Sequence, residues 1–139
     1  MGLTVKCRKT GDEFDLGYFG FARLRQTVSE IVGDPWKSHY ELLSHHVGWE
    51  ESDYDDWDKK AEEMYAAGQV SEAVLEFTMT SDAEGHLKWQ HCRDLLKLIG
   101  DYDDNVIYGY AGRPNPAKFA DFVRVLKACA TNRVAMYWV

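Results

Sequence analysis

Between Thr80 and His91 the chain comes close to a calcium-binding loop. Such a loop sets oxygen ligands at its first, third, fifth and twelfth positions, a glycine at the sixth for the sharp turn, and commonly an apolar residue at the eighth. Asp82, Glu84, Gly85 and Leu87 meet that pattern. Thr80 stands at the first position, however, and His91 at the twelfth, where a bidentate carboxylate has to close the shell. The turn chemistry is kept and the ligand set is broken, so no metal site is expected here.

The histidines offer no better set. A helical metal pair needs its rings three or four residues apart on one face, whereas His45 and His46 are adjacent and His86 and His91 are five apart. Nucleophilic catalysis has no visible machinery either, since there is no Gly-x-Ser-x-Gly elbow and no Cys-His signature. Cys92 follows His91 directly, but neighbours on a helix diverge by about 100°. Cys7, Cys92 and Cys129 are odd in number and lack Cys-x-x-Cys spacing, which fits reduced core thiols better than a disulfide framework or zinc knuckle. No cofactor is implied by any of these residues.

Two stretches remain as candidate binding sites. In the first, glycines precede a helix start between Gly109 and Ala117, so Gly112, Arg113 and Asn115 could hold an anion against helix amides. There is no Walker lysine and no dinucleotide fingerprint, and turn geometry alone also accounts for the loop. The second stretch is acidic: Glu50 to Glu63 holds eight acids against Lys59 and Lys60. Within it Glu51, Asp53, Asp55, Asp56 and Asp58, interleaved with Tyr54 and Trp57, could meet a basic groove on a partner while the rings fill pockets. An ordinary capped helix with a solvated face has the same composition.

The elements that must position these residues follow from periodicity. Leu3 to Cys7 alternates as a half-buried strand, and Thr10-Gly11-Asp12 supplies a turn. From Tyr18 the spacing is helical, with Phe21, Leu24, Val28, Ile31 and Val32 on one stripe and Arg23, Arg25, Gln26 and Glu30 around the rest, up to Gly33-Asp34-Pro35. A shorter helix is expected from Trp36 to His46, with Tyr40, Leu43 and Val47 on one side. Ser52 is the expected cap of a third helix that turns Tyr54, Trp57, Ala61, Met64 and Tyr65 inward and ends at Gly68. Val70 to Met79 suits either a helical turn or a short strand, with a short helix favoured; Ser81 to Gly85 reads as a loop with Leu87 extended, and Trp89 to Ile99 as a helix stopped by Gly100. Asn105 to Tyr110 is β-rich. Asn115 and Pro116 look like the cap and first residue of a last helix carrying Phe119, Phe122, Val123, Leu126, Cys129 and Ala130, before a buried strand over Val134 to Val139. The expected class is α+β: one domain over residues 1–139, mostly helical around a small sheet formed by the N-terminal and C-terminal strands.

Composition bounds the remaining choices. At 139 residues and 45% hydrophobic the chain can fill one core, and five Trp with eight Tyr bring large areas that need burial or a partner. A net charge of −7 argues against direct nucleic-acid binding and against anionic membranes. There is no apolar run of membrane-spanning length and no secretory signal, so a cytoplasmic protein is expected.

The chain resembles an uncharacterised family of short proteins found in phage and bacterial genomes. The likeness rests on the opening Met1-Gly2-Leu3-Thr4-Val5, the helix with Phe21-Ala22-Arg23-Leu24-Arg25-Gln26, the Ser81-Asp82-Ala83-Glu84-Gly85 turn followed by Leu87 and Cys92, and the terminal helix feeding a short strand. The family tends to place Cys, Asp and an acid where Ala83, Glu84 and His86 stand here, which weakens any metal role for the turn. The resemblance implies a mobile-element origin. Taken with the residues, it leads to the expectation of a non-catalytic interaction or regulatory protein that binds a host or viral protein through the acidic segment, with homodimer formation in reach. The alternative is a small nucleotide- or anion-binding protein or enzyme using the Gly109 to Ala117 loop.

Overall fold

The computed structural model describes residues 2–110 and 112–139. Met1 of the opening motif and Ala111 of the glycine loop lie outside the described residues. The fold is α+β, as expected. A four-stranded antiparallel sheet in the order β2-β1-β4-β3 joins the N-terminal and C-terminal strands, and the helices pack around it.

β1 (Gly2–Cys7) turns Leu3, Val5 and Cys7 inward at the two-residue period of a strand. β2 (Glu13–Gly17) sets Leu16 opposite Leu3 and Phe14 opposite Val5, so the buried faces of the two strands match pair by pair. This second strand was not anticipated, although Glu13-Phe14-Asp15-Leu16 alternates polar and apolar. α1 (Tyr18–Val32) follows at once, burying Phe21, Leu24 and Val28, and stops at Gly33, whose φ of 82° favours glycine.

α2 (Trp36–Glu41) is shorter than expected and tightens into a 3-10 turn over Leu42–His45, leaving Val47 exposed rather than on an inward face. α3 (Glu51–Ala66) starts one residue before Ser52: Glu50 is the cap, and the Asp53 carboxylate accepts a 2.8 Å hydrogen bond from the Glu50 amide. A carboxylate three residues into the helix outcompeted the serine hydroxyl. Trp57, Ala61 and Met64 are the buried stripe, whereas Tyr54 and Tyr65, expected inward, are exposed.

α4 (Glu72–Met79) is capped by the Ser71 hydroxyl, which accepts from the Val74 amide at 3.3 Å. β3 (Gly85–Leu87) then pairs with β4 (Met136–Trp138), which also pairs with β1. α5 (Trp89–Ile99) buries Cys92, Leu95 and Ile99. Residues 105–110, β-rich in composition, make a single bridge among the described residues, Ile107 to Lys118. α6 (Phe119–Asn132) begins later than the Asn115-Pro116 pair implied. Asn115 has φ 52°, and the real cap is Lys118, whose amide donates to Asp121 at 2.8 Å. Its buried stripe includes Val125, while Val123 and Ala130 are only partly buried.

At the centre of the core Phe77 lies between Phe21 (5.8 Å between ring centroids) and Phe122 (5.1 Å), and Trp138 closes against Phe21 at 5.4 Å. Cys7, Cys92 and Cys129 are buried and free. Contact with Cys92 together with burial pushes the Cys129 thiol up, which keeps it protonated. No helix among the described residues is long and apolar enough to cross a membrane.

Candidate functional site

The calcium-like turn has been put to other uses. The Thr80 hydroxyl donates to the Glu76 carbonyl at 2.5 Å, and the buried His91 ring sets Nδ1 3.2 Å from a Glu76 carboxylate oxygen. Both end positions of the pattern are thereby directed into α4. Gly85 answers to packing rather than to a metal turn: a Cβ there would fall 2.5 Å from the Trp138 ring, closer than side chains approach. Among the described residues no group of three or more His, Cys, Asp or Glu is placed to hold a metal ion.

The glycine loop lies beside a cleft of about 490 Å³ that Arg113, Asn115, Asp15, Asp121 and Arg124 help to line. Arg113 stacks over Tyr110 at 4.6 Å, while Gly112 takes φ 84° as turn geometry demands. Arg124 is fully engaged, donating to Asp12 at 2.7 Å and to Asp121 at 3.3 Å, and these hydrogen bonds hold its guanidinium above its ordinary range against the opposing effect of burial. Gly109 is needed because a Cβ would fall 2.5 Å from the Ala117 amide, where the two strands of the loop close on each other. Carboxylates balance the cations of this cleft, which makes it a poor seat for an anion.

In the acidic segment Glu51, Asp53, Tyr54, Asp55, Asp56 and Asp58 are exposed. Trp57 is different. Only 4% exposed, it anchors α3 to α2: its indole donates to the His39 carbonyl at 2.8 Å, and His39 Nε2 donates back to the Trp57 carbonyl at 2.9 Å. The two rings stack at 4.4 Å, and Trp36 meets Trp57 edge-on at 5.9 Å. Trp57 therefore displays the acids around it rather than contacting a partner itself. Tyr54 lies at the surface, its hydroxyl 3.1 Å from His46 Nδ1 and its ring edge-on to Trp49. None of the acids from Glu50 to Asp58 forms an ion pair among the described residues.

A further cleft, of about 910 Å³, is a trough whose floor is the solvent side of α1: Phe19, Ala22, Arg23, Gln26 and Glu30. These positions fall on one helical face by their three- and four-residue spacing. One wall is the segment before α6. There Asp104 accepts from the Tyr108 hydroxyl (2.7 Å), the Tyr102 hydroxyl (2.9 Å) and the Val106 amide (3.0 Å), and Tyr108 also meets Thr27 at 2.9 Å. Gly20 lets this wall approach, since a Cβ there would collide with the Tyr108 carbonyl. Burial, then the Asp104 hydrogen bond, pushes the Tyr102 phenol up to about 12.

The opposite wall holds Arg25, Tyr40 and Asp82. Arg25 was expected around the outside of α1, yet it is only 7% exposed. Its Nη2 donates to the Thr80 carbonyl and reaches the Ser81 carbonyl at 3.5 Å, and the guanidinium lies over the Phe21 ring at 4.6 Å. Nε is buried without a partner. Desolvation pulls the guanidinium down, opposed by Tyr40 and Asp82, but Arg25 forms no ion pair among the described residues. The sequence did carry a sign of this, because position 25 is four residues after Phe21 and three before Val28, on the edge of the buried stripe.

The chain matches no protein-family model, no curated protein and no solved structure.

Proposed function

We propose that the protein is a non-catalytic interaction protein of phage or prophage origin that binds a basic surface on a host or viral protein through the exposed acids of α3. The observation that carries this reading is the set of six carboxylates from Glu50 to Asp58, all exposed and none in an ion pair among the described residues. Uncompensated charge of one sign steers association with a partner of the opposite sign and sets its register. The anchor supports the reading, since Trp57 fixes the helix on its buried face and leaves the acids around it in solvent. His39 is hydrogen-bonded to Trp57, and the buried His91 ring lies 3.2 Å from a Glu76 carboxylate oxygen, so both sit within the packing around α2 and α4. A nucleotide or anion site at Gly112, Arg113 and Asn115 is the weaker reading, because Asp15 and Asp121 share that cleft.

The test is affinity capture from the expected host followed by direct titration of the captured protein against wild type and an Asp55→Lys/Asp56→Lys variant. Binding should weaken by more than about tenfold in the variant and fall steeply with added salt, while Asp15→Lys leaves it unchanged. Equal affinity for wild type and the double variant would remove the acidic strip from the interaction.

A further inference from the structure

We infer that the trough over α1 binds a small molecule carrying one oxyanion, a carboxylate or a phosphate, whose anionic end meets Arg25 and Tyr40 at the wall formed by α2 and the 81–84 turn. This goes beyond the partner surface on α3 and does not depend on it.

Arg25 supplies the first reason. A guanidinium offers five N–H donors, and a buried charge is normally paired with an opposite charge. Among the described residues its only acceptors are two neutral backbone carbonyls, both reached by Nη2. Nε is enclosed without a partner, Nη1 makes no hydrogen bond among the described residues, and this nine-tenths buried cation is one of the residues that line the trough. The side chain is also preset: Phe21 and Trp138 lie against the guanidinium plane at 4.6 and 5.9 Å, and the Trp138 indole fixes the Ser81 carbonyl at 2.8 Å. A donor held in place by aromatic faces loses little freedom when an anion arrives.

Tyr40 supplies the second. Its ring is held against Trp36 at 5.8 Å, and its hydroxyl has no hydrogen-bond partner among the described residues although it lines the same wall. It is close enough to feel the Arg25 charge, which opposes the effect of its burial. One unpaired charged donor and one unpaired hydroxyl therefore share one wall of this cleft.

The surrounding acids set the specificity. Asp82, on the exposed turn, lies near Arg25 but beyond ion-pair distance, and Glu41 lines the same side. Across the floor stand Glu30 and Asp104. A ligand with a second anionic group would meet that far wall, whereas one ending in a neutral or amino group would not. The trough thus suits a monoanion with a polar or cationic tail better than a polyanion such as a nucleoside triphosphate.

The experiment is titration of the full chain with hexanoate, 6-aminohexanoate and inorganic phosphate, followed by amide chemical shifts and calorimetry. Saturable binding should perturb Ala22, Gln26 and the 81–84 turn, with 6-aminohexanoate tighter than hexanoate. Arg25→Gln should weaken it by at least about tenfold. Because that variant also removes a structural contact, two milder ones decide the matter: Tyr40→Phe should weaken binding several-fold, and Asp82→Asn should tighten it several-fold by removing a like charge. Asp55→Lys/Asp56→Lys should leave these affinities unchanged, which separates this site from the partner surface. Absence of saturable binding of all three probes to wild type, or affinities unmoved by both Tyr40→Phe and Asp82→Asn, would overturn the inference.

Discussion

The start of α3 and its cap carry six carboxylates in solvent, whereas α1 carries one guanidinium folded beneath the backbone of residues 80–81. Apart from Asp53, which accepts the Glu50 amide at the start of α3, the exposed acids are hydrated and screened, so they add little to stability and remain available to a partner. The buried guanidinium cannot be hydrated in the same way. It must be met by acceptors, and the protein provides only part of the set. Charge number is therefore a poor guide to what a region does in this molecule. Six acids form a surface, and one arginine forms a corner with unfilled valence.

Breaking the anchor of the acidic helix should have the largest effect. Trp57→Ala removes a buried indole, its hydrogen bond to the His39 carbonyl and the stack on the His39 ring. A loss of about 3–5 kcal/mol is expected in urea unfolding. The acids themselves are untouched, so weaker partner binding in this variant would show that the strip has to be held rigid. A loss below about 1 kcal/mol would mean that α3 is held by something other than this anchor.

Arg25→Ala comes next. The Thr80 and Ser81 carbonyls lose a charged donor, and Phe21 and Trp138 lose the plane packed on them. A cost of about 2–4 kcal/mol is expected. Arg25→Met keeps the stem and removes the charge, and should cost less than the alanine variant. If both changes are neutral, the guanidinium is not seated as described and the contrast with α3 fails.

Gly85→Ala probes how the 81–84 turn is held beside Arg25. The added methyl would meet the Trp138 ring at 2.5 Å and the Thr80 methyl at 2.8 Å. Overpacking of this kind costs about 1–3 kcal/mol, and melting temperature with near-ultraviolet circular dichroism would report both the loss and the disturbed tryptophan.

Part of this was legible in the chain. β1, α1 and α5 announce themselves by period, because each has one wet and one dry side, whereas the short apolar run of α4 suits a helical turn or a strand equally. The class of fold follows from them. Less legible were features fixed by distant contacts. Asn115-Pro116 has the chemistry of a helix start, but the Ala117 backbone is committed to Tyr108 and Gly109, so the helix waits for Lys118 and Asp121. Residues 105–110 have β-rich composition, yet Asp104 and the approach to Gly20 hold them as a wall. Trp57 falls on the inward stripe of α3 by spacing and is buried as that predicts, while its acidic neighbours also suggested a contact residue; the reciprocal bonds to His39 that make it an anchor have no local signal. Arg25 lies at the edge of the apolar stripe, but no local pattern announces that Thr80 and Ser81 would arrive above it.

The smallest effect concerns acid. Burial holds the His39 imidazole below its usual value near 6.5, and Lys60 adds to that against the opposing hydrogen bond to Trp57. The unfolded chain therefore takes up a proton at His39 before the folded chain does. Between the unfolded value and the lower folded one, the unfolded state binds more protons and stability falls as the pH falls; below both values the loss is complete, and above about pH 7 it is absent. Because His39 faces Trp57, the strain of protonation falls on the α2–α3 contact, while Arg25 keeps its charge throughout. Tryptophan fluorescence at fixed urea, followed from pH 7.5 to 5, should show α3 loosening at the acid end. In His39→Gln, which keeps a donor for the Trp57 carbonyl but cannot titrate, that slope should flatten. A slope equal to wild type would assign the acid sensitivity to other groups and leave the two helices alike in their response to pH.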